Sequence, residues 1–258
     1  MAIPAWTRYF RRIGRGVRAK LLHLQVTFHG NDISRVTNFK KSNMNPVLLI
    51  QGFGSTRRCF HILEKRLRND GYDVFTIRIG GWFGTMNTRG VSDVAADILK
   101  KLESLRDRFK FGKVAVIGHS KGGIIGRYMV TCLGGNKHVH TLITLGSPHK
   151  GHRPASLLRF TPVGLLSKGI RQLRPKSKVI RRMRDTPIPK SVYTVSIGSE
   201  NDQIVPVQQT EITLHKGMEH IVNIRIKGHR HTDYLVKQQI YNIIKEHLSV
   251  GEKARKSP

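Results

Sequence analysis

The chain predicts an α/β fold, a mainly parallel sheet with helices on both faces. Short, wholly apolar runs of strand length, such as Val47–Ile50 and Val114–Ile117, read as strands buried on both faces. Between them lie longer segments with apolar residues at helical spacing, and that alternation implies right-handed crossovers between parallel strands. A length of 258 residues suffices for one large domain, and a 38% share of hydrophobic residues in regular clusters argues against disorder.

The alternation can be followed in order. After the run Val47–Ile50 a helix is expected, with Ser55 or Thr56 as N-cap, Phe60, Ile62, Leu63 and Leu67 on its apolar side, and Gly71 as its stop. Tyr72–Ile79 reads as the next strand. Ser92 is placed to cap a helix carrying Val94, Ala95, Ile98, Leu99, Leu102 and Leu105. Val114–Ile117 is a strand, Lys121–Cys132 a helix and Thr141–Leu145 a strand. The rhythm breaks over residues 150–190, which hold five prolines and a single acid, Asp185. This stretch is expected as a cap or lid inserted above the sheet. Strands at Val192–Ile197 and Ile221–Ile226 and a closing helix from Asp233 to Leu248 complete the domain, assigned to residues 42–250. Residues 251–258 are expected as a frayed tail.

Residues 1–41 differ in character. On a helix, Trp6, Phe10, Ile13, Val17 and Leu24 share one face, while Arg8, Arg11, Arg12, Arg15 and Arg18 gather opposite. That pattern suits a helix lying in an anionic membrane interface, and equally a segment docking its apolar face on the core. Gly14 and Gly16 weaken the helix by about 1 kcal/mol each.

The chemistry centres on Gly118-His119-Ser120-Lys121-Gly122, which stands between a buried strand and a helix. This is the G-x-S-x-G nucleophile elbow in its expected setting, the mark of the α/β-hydrolase fold. The tight turn lifts the Ser120 hydroxyl above the sheet and aims the N-terminus of the next helix at the reaction centre. Serine needs a base held by an acid, and in this fold the order is Ser, acid, His. Glu200 and Asp202 follow one strand, and His229 and His231 follow the next, all at carboxyl ends where such a sheet places its site. Asp202 is the preferred acid because Ile204-Val205-Pro206 would anchor its loop, with Glu200 as runner-up. His231 is the preferred base, with Tyr234 and Leu235 packing behind it. A metal site at His229 and His231 lacks further ligands. The oxyanion hole is expected from the N–H groups of Lys121 and of Phe53, in Gln51-Gly52-Phe53-Gly54. Gly52 and Gly54 do not make a dinucleotide fingerprint, because position 57 is Arg. This chemistry requires no metal or organic cofactor.

Gln51-Gly52-Phe53-Gly54, Gly118 to Gly123, Leu145-Gly146-Ser147-Pro148-His149-Lys150-Gly151 and Asp202-Gln203-Ile204-Val205-Pro206 together resemble bacterial triacylglycerol lipases and related esterases. The resemblance runs from Pro46 to Leu248. It implies the α/β-hydrolase fold, a Ser120, Asp202 and His231 triad, an oxyanion hole at Phe53 and Lys121, and a lipid or other ester as substrate. The family's His-Gly oxyanion motif stands here as Gln51-Gly52, which leaves the backbone donors in place. Leu157, Leu158, Phe160, Val163, Leu165 and Leu166 in the insertion could line an acyl-binding surface, or form a plain structural cap.

A net charge of +30 attracts anionic surfaces. Anionic membrane, reached peripherally through residues 1–41, is the expected partner, and nucleic acid is disfavoured. The lack of a run of roughly 18 apolar residues argues against a spanning helix. Two cysteines form no disulfide framework and suit a reducing compartment. The expected location is cytoplasmic, peripheral at the membrane, with secretion left open by the weak apolar stretch Leu21–Phe28. Two other functions fit parts of the sequence: an acyltransferase using the same triad, and a non-enzymatic polybasic binder of lipid or nucleic acid.

Overall fold

A computed structural model describes residues 46–77, 79–80, 87–152 and 167–256. The basic segment 1–41 and the six apolar insertion residues from Leu157 to Leu166 lie outside them. Among the described residues six strands, β1 (Val47–Ile50), β2 (Val74–Thr76), β3 (Val114–His119), β4 (Val139–Leu145), β5 (Tyr193–Ser199) and β6 (Ile221–Ile226), form one sheet in the order β2-β1-β3-β4-β5-β6. Every pairing is parallel.

Burial on both faces explains the unbroken apolar runs. In β1, Leu48 and Ile50 face one core, which contains residues of α2 (Val91–Phe109), α3 (Lys121–Cys132) and the insertion. Val47 and Leu49 face the other, with Leu63 and Leu67 of α1 (His61–Asn69) and Ile240, Ile244 and Leu248 of the closing helix. Each such side chain contributes about 1.5–3 kcal/mol by leaving water. The central helix α3 is apolar nearly all round, because it is enclosed by strands, by α2 and by the insertion.

The described part of the insertion is firmly packed. Two short helices, α4 (Lys168–Gln172) and α5 (Lys178–Asp185), are each capped by a serine. Ser167 Oγ accepts from Ile170 N–H at 3.3 Å, and Ser177 Oγ accepts from Ile180 N–H at 3.2 Å. Val179, Ile180 and Met183 of α5 are buried in the same core as α3.

Several boundaries differ from expectation. A 3₁₀ turn, Arg57–Phe60, precedes α1; Thr56 makes no side-chain cap bond, and Ser55 Oγ instead donates to Gly52 O at 3.0 Å. Helix α2 begins at Val91 after Gly90, before the expected cap Ser92. Its first N–H groups, those of Val91 and Ser92, donate to Gln172 Oε1 of the insertion. Strand β2 is shorter than 72–79. Beyond β5 lie a single turn, α6 (Val207–Thr210), and then β6. Near the end, a 3₁₀ turn at Asp233–Leu235 precedes α7 (Gln238–Lys256). Residues 251–256 are therefore helix rather than a frayed tail, and buried Gly251 rests against Thr141 of β4. Among the described residues no helix is long and apolar enough to cross a membrane.

Candidate functional site

Strand β3 ends at His119 and α3 begins at Lys121, so one residue, Ser120, makes the whole turn. It does so with φ 53° and ψ −122°, a conformation that costs on the order of 1–3 kcal/mol for a residue with a side chain. The surrounding chain enforces it. Ser120 N–H donates to Leu145 O at 2.8 Å, and Gly123 N–H donates to Ser120 O at 3.1 Å. A Cβ at Gly122 would lie 2.0 Å from Ile50 O, so the helix can approach the end of β1 only without one. That approach brings the Gln51–Gly54 turn beside the serine, with the Cβ position of Gly52 3.1 Å from Ser120 Cβ.

Asp202 and His231 meet although 29 residues separate them. His231 Nδ1–H donates to Asp202 Oδ2 at 2.7 Å, and both residues are buried. The other carboxylate oxygen accepts from Ile204 N–H at 2.8 Å and Val205 N–H at 2.9 Å. Burial alone would raise the Asp202 pKa; the His231 hydrogen bond and charge and the two N–H groups outweigh it, so the carboxyl lies below its usual range. Space for the pair comes from Gly146, at φ 56°, where a Cβ would lie 3.1 Å from Asp202 Oδ2, 3.2 Å from His231 Cε1 and 2.6 Å from the Tyr234 ring. Tyr234 packs edge-on against His231, and its buried hydroxyl accepts from Ser199 N–H at 2.7 Å. His119 also packs on His231, tilted by 46° with ring centroids 4.7 Å apart, and its Nε2 bonds the His231 carbonyl at 3.0 Å.

The runner-up residues lie elsewhere. Glu200 faces outward toward Lys227 Nζ at 3.9 Å, and the His229 carbonyl accepts from Ser199 Oγ at 2.6 Å. Among the described residues no group of three or more His, Cys, Asp or Glu is placed to hold a metal.

Ser120 and His231 line one cavity of about 320 Å³ with Gly52, Phe53 and His119. Its remaining wall is largely apolar, from Pro148, Ile170, Leu173, Ile204, Val205 and Leu235. Ile170 and Leu173 belong to α4 and the residue after it, so the described part of the insertion contributes to the wall. Phe53 is half-exposed at the rim. Lys121 is the opposite: its side chain is wholly buried, and its ammonium is bonded to Asn87 and Arg89. The sequence points only to its N–H. A signal was present, since a cation in the first turn of a buried helix opposes the helix dipole. Asn87, in a polar stretch between β2 and α2, carries no such signal. Cys59 lines the cavity and is free, as is Cys132, and burial pushes the Cys59 thiol up to about 12.

The arrangement offers a strained serine at a helix N-terminus, an imidazole oriented by a carboxylate, and an apolar pocket suited to a hydrocarbon chain. Similarity to other proteins bears on the fold and the family. Over 102 residues, 39% of this chain and 33% of the relative, the sequence is 33% identical to bis(hydroxyethyl) terephthalate hydrolase of Streptomyces coelicolor. Over 132 residues, 47% of this chain and 40% of the relative, it is 25% identical to a triacylglycerol lipase of Pseudarthrobacter phenanthrenivorans. The matched stretches thus span well under half the length of these relatives. Among solved structures, mature Bacillus licheniformis lipase BlEst2 superposes with a TM-score of 0.63 at 18% identity, over 85% of this chain and 96% of that one. Aspergillus fumigatus lipase B does so with a TM-score of 0.67 at 17% identity, over 84% and 55%. At such identities the structures establish the α/β-hydrolase fold alone, and the sequence relatives bear out the lipase and esterase resemblance. The sequence profile described as palmitoyl protein thioesterase matches residues 46–194, from β1 through the elbow to the start of β5. With more than half of its length in that match, the chain belongs to the palmitoyl protein thioesterase family of lipase- and esterase-like hydrolases.

Proposed function

We propose that this chain is a serine hydrolase that cleaves carboxylic esters of lipid type through an acyl-enzyme. The observation that carries the reading is the buried Asp202–His231 pair at 2.7 Å, whose imidazole lines one cavity with Ser120. With Nδ1–H held by Asp202, the Nε2 lone pair is free to take the Ser120 proton as Oγ attacks the acyl carbon. The tetrahedral oxyanion is held by the N–H groups of Phe53 and Lys121. Its collapse expels the alcohol, which takes the proton from His231. Water then enters with His231 again as base, the acyl group leaves as the acid, and Ser120 regains its proton. The apolar wall favours an aliphatic acyl group. The description of the family, palmitoyl protein thioesterase, adds thioesters to the bonds worth testing.

Supporting a site of action at anionic membrane are the charge of +30 and the amphipathic pattern of residues 1–41. On this reading the enzyme works in the cytoplasm, peripheral at an anionic membrane, and secretion stays the alternative.

The test is labelling with a fluorophosphonate followed by an ester chain-length series. Wild type is expected to take the label on Ser120 and to turn over p-nitrophenyl esters, and Ser120→Ala is expected to do neither. Near wild-type turnover by Ser120→Ala would sink the assignment, and an unlabelled wild type would favour a polybasic binder. Product analysis with competing alcohol and thiol acceptors separates hydrolysis from acyl transfer.

A further inference from the structure

Helix α3 opens on a lysine at its positive end, and the burial of that lysine is complete. The Lys121 ammonium is met by three oxygens: the Asn87 carbonyl at 3.1 Å, Asn87 Oδ1 at 2.8 Å and the Arg89 carbonyl. Three acceptors match the three N–H donors of a charged amine. The Phe53 ring covers it, centroid 5.6 Å from Nζ, within range of a cation–π contact. No carboxylate among the described residues pairs with it; the acid it senses, Asp93, is bonded to Lys168 at 2.8 Å. A buried cation with neutral ligands only is costly, because no opposite charge offsets the desolvation of the ammonium. Stability alone therefore does not explain a lysine at this place.

The oxygens that hold the ammonium lead to the turn opposite the serine. Asn87 Nδ2–H donates to Gln51 O at 2.7 Å, and the Asn87 carbonyl also accepts from Gly54 N–H at 3.4 Å. Both ends of the Gln51–Gly54 turn are thus tied to the residue that Lys121 grips. We propose that the Lys121 side chain is a positioning residue: through Asn87 its ammonium fixes the Gln51–Gly54 turn so that Phe53 N–H stands where the oxyanion forms. The proposal rests on the reading of Ser120 as nucleophile. One residue then serves both halves of the oxyanion hole, its own N–H on one side and its side chain, at one remove, on the other.

The charged groups facing the amine from the packed elements are Arg89 before α2, Asp93 within α2 and Lys168 at the start of α4. Burial, and then Arg89, pull the ammonium down to about 7, with Asp93 opposing. As pH rises through that value the amine loses its charge and one donor, the grip on Asn87 slackens, and turnover falls.

The experiment compares full-length wild type, Lys121→Met, Asn87→Ala and the double variant on p-nitrophenyl butyrate, with fluorophosphonate labelling of each. Lys121→Met is expected to lower kcat roughly 10- to 100-fold with KM within about twofold. Affinity for a trifluoromethyl ketone, which forms the tetrahedral adduct, should fall in proportion to kcat. The wild-type alkaline limb near 7 should be missing from the variant. Because the two residues act in series, the double variant should lose little more than either single one. Wild-type kcat in a folded Lys121→Met, strictly additive losses, or no alkaline limb in wild type would overturn the proposal. Asn87→Ala cuts the same link without touching Lys121, so an unchanged kcat there overturns it even where Lys121→Met does not fold. An unlabelled wild-type Ser120 would instead remove the serine reading and this proposal together.

Discussion

Asp202 is held by an imidazole and two backbone N–H groups, and an amide at that position would keep the shape but lose the charge that orients His231. Asp202→Asn is therefore expected to lower kcat on p-nitrophenyl butyrate by about 10⁴, with Ser120 unmoved. A loss under tenfold in steady-state kinetics would argue against Asp202 as the acid. A second residue-scale effect concerns stability. Burial, and then Arg255, pull His140 down to about 4, against a backbone hydrogen bond at Gly251. Below its ordinary value of 6.5 the unfolded histidine binds a proton that the folded one refuses, so the unfolded state gains as pH falls. The His140 contribution to the urea midpoint should be complete above pH 6.5 and be lost toward pH 4, and His140→Gln should flatten the decline over that window. The Asp202–His231 pairing is legible in the sequence because both residues follow strand ends in the order the fold demands. Gly146 is legible only as a motif letter. Its reason, room for the pair at a positive φ, needs three segments in space.

At the scale of elements, strands are the most legible, since β1 and β6 follow apolar or nearly apolar runs that pattern alone delimits. Helix α3 is also found at its expected bounds, because the elbow starts it. Helix α2 is not. Its true cap is Gln172, some 80 residues away, and no local pattern announces a cap supplied by another part of the chain. Gln172→Ala should cost about 1 kcal/mol, as loss of a cap does, and lower Tm by about 2–4 °C. Calorimetry would show it, and an unchanged Tm would mean that water replaces the amide oxygen at no cost. The effect should extend past stability, because Gln172 stands beside Ile170 and Leu173 on the cavity wall. Gly122→Ala meets a harder limit. With a Cβ 2.0 Å from Ile50 O, α3 and β1 cannot both keep their places. Circular dichroism and solubility should report a chain that fails to fold, and a soluble, native-like variant would refute the contact.

For the whole molecule, charge is the dominant property. Removing residues 1–41 should weaken cosedimentation with anionic liposomes while sparing turnover of soluble short-chain esters, and added salt should weaken binding of the full chain. Unchanged liposome binding by the shortened protein would rule out that segment as the anchor. The parallel sheet carries a different consequence, one of time. Neighbouring strands β4 and β5 are separated by the whole insertion, and the cavity draws on positions near 53, 120, 202 and 231. Contacts so distant in sequence are slow to close, because each requires a long loop to be ordered before it yields any stabilisation. A refolding chain therefore acquires helices and local turns early and its cavity last. Esterase activity should return in the slowest phase, after far-ultraviolet ellipticity has recovered. Until then, apolar strands destined for burial stand open to one another on neighbouring chains, and the yield of active protein should fall steeply as refolding concentration rises.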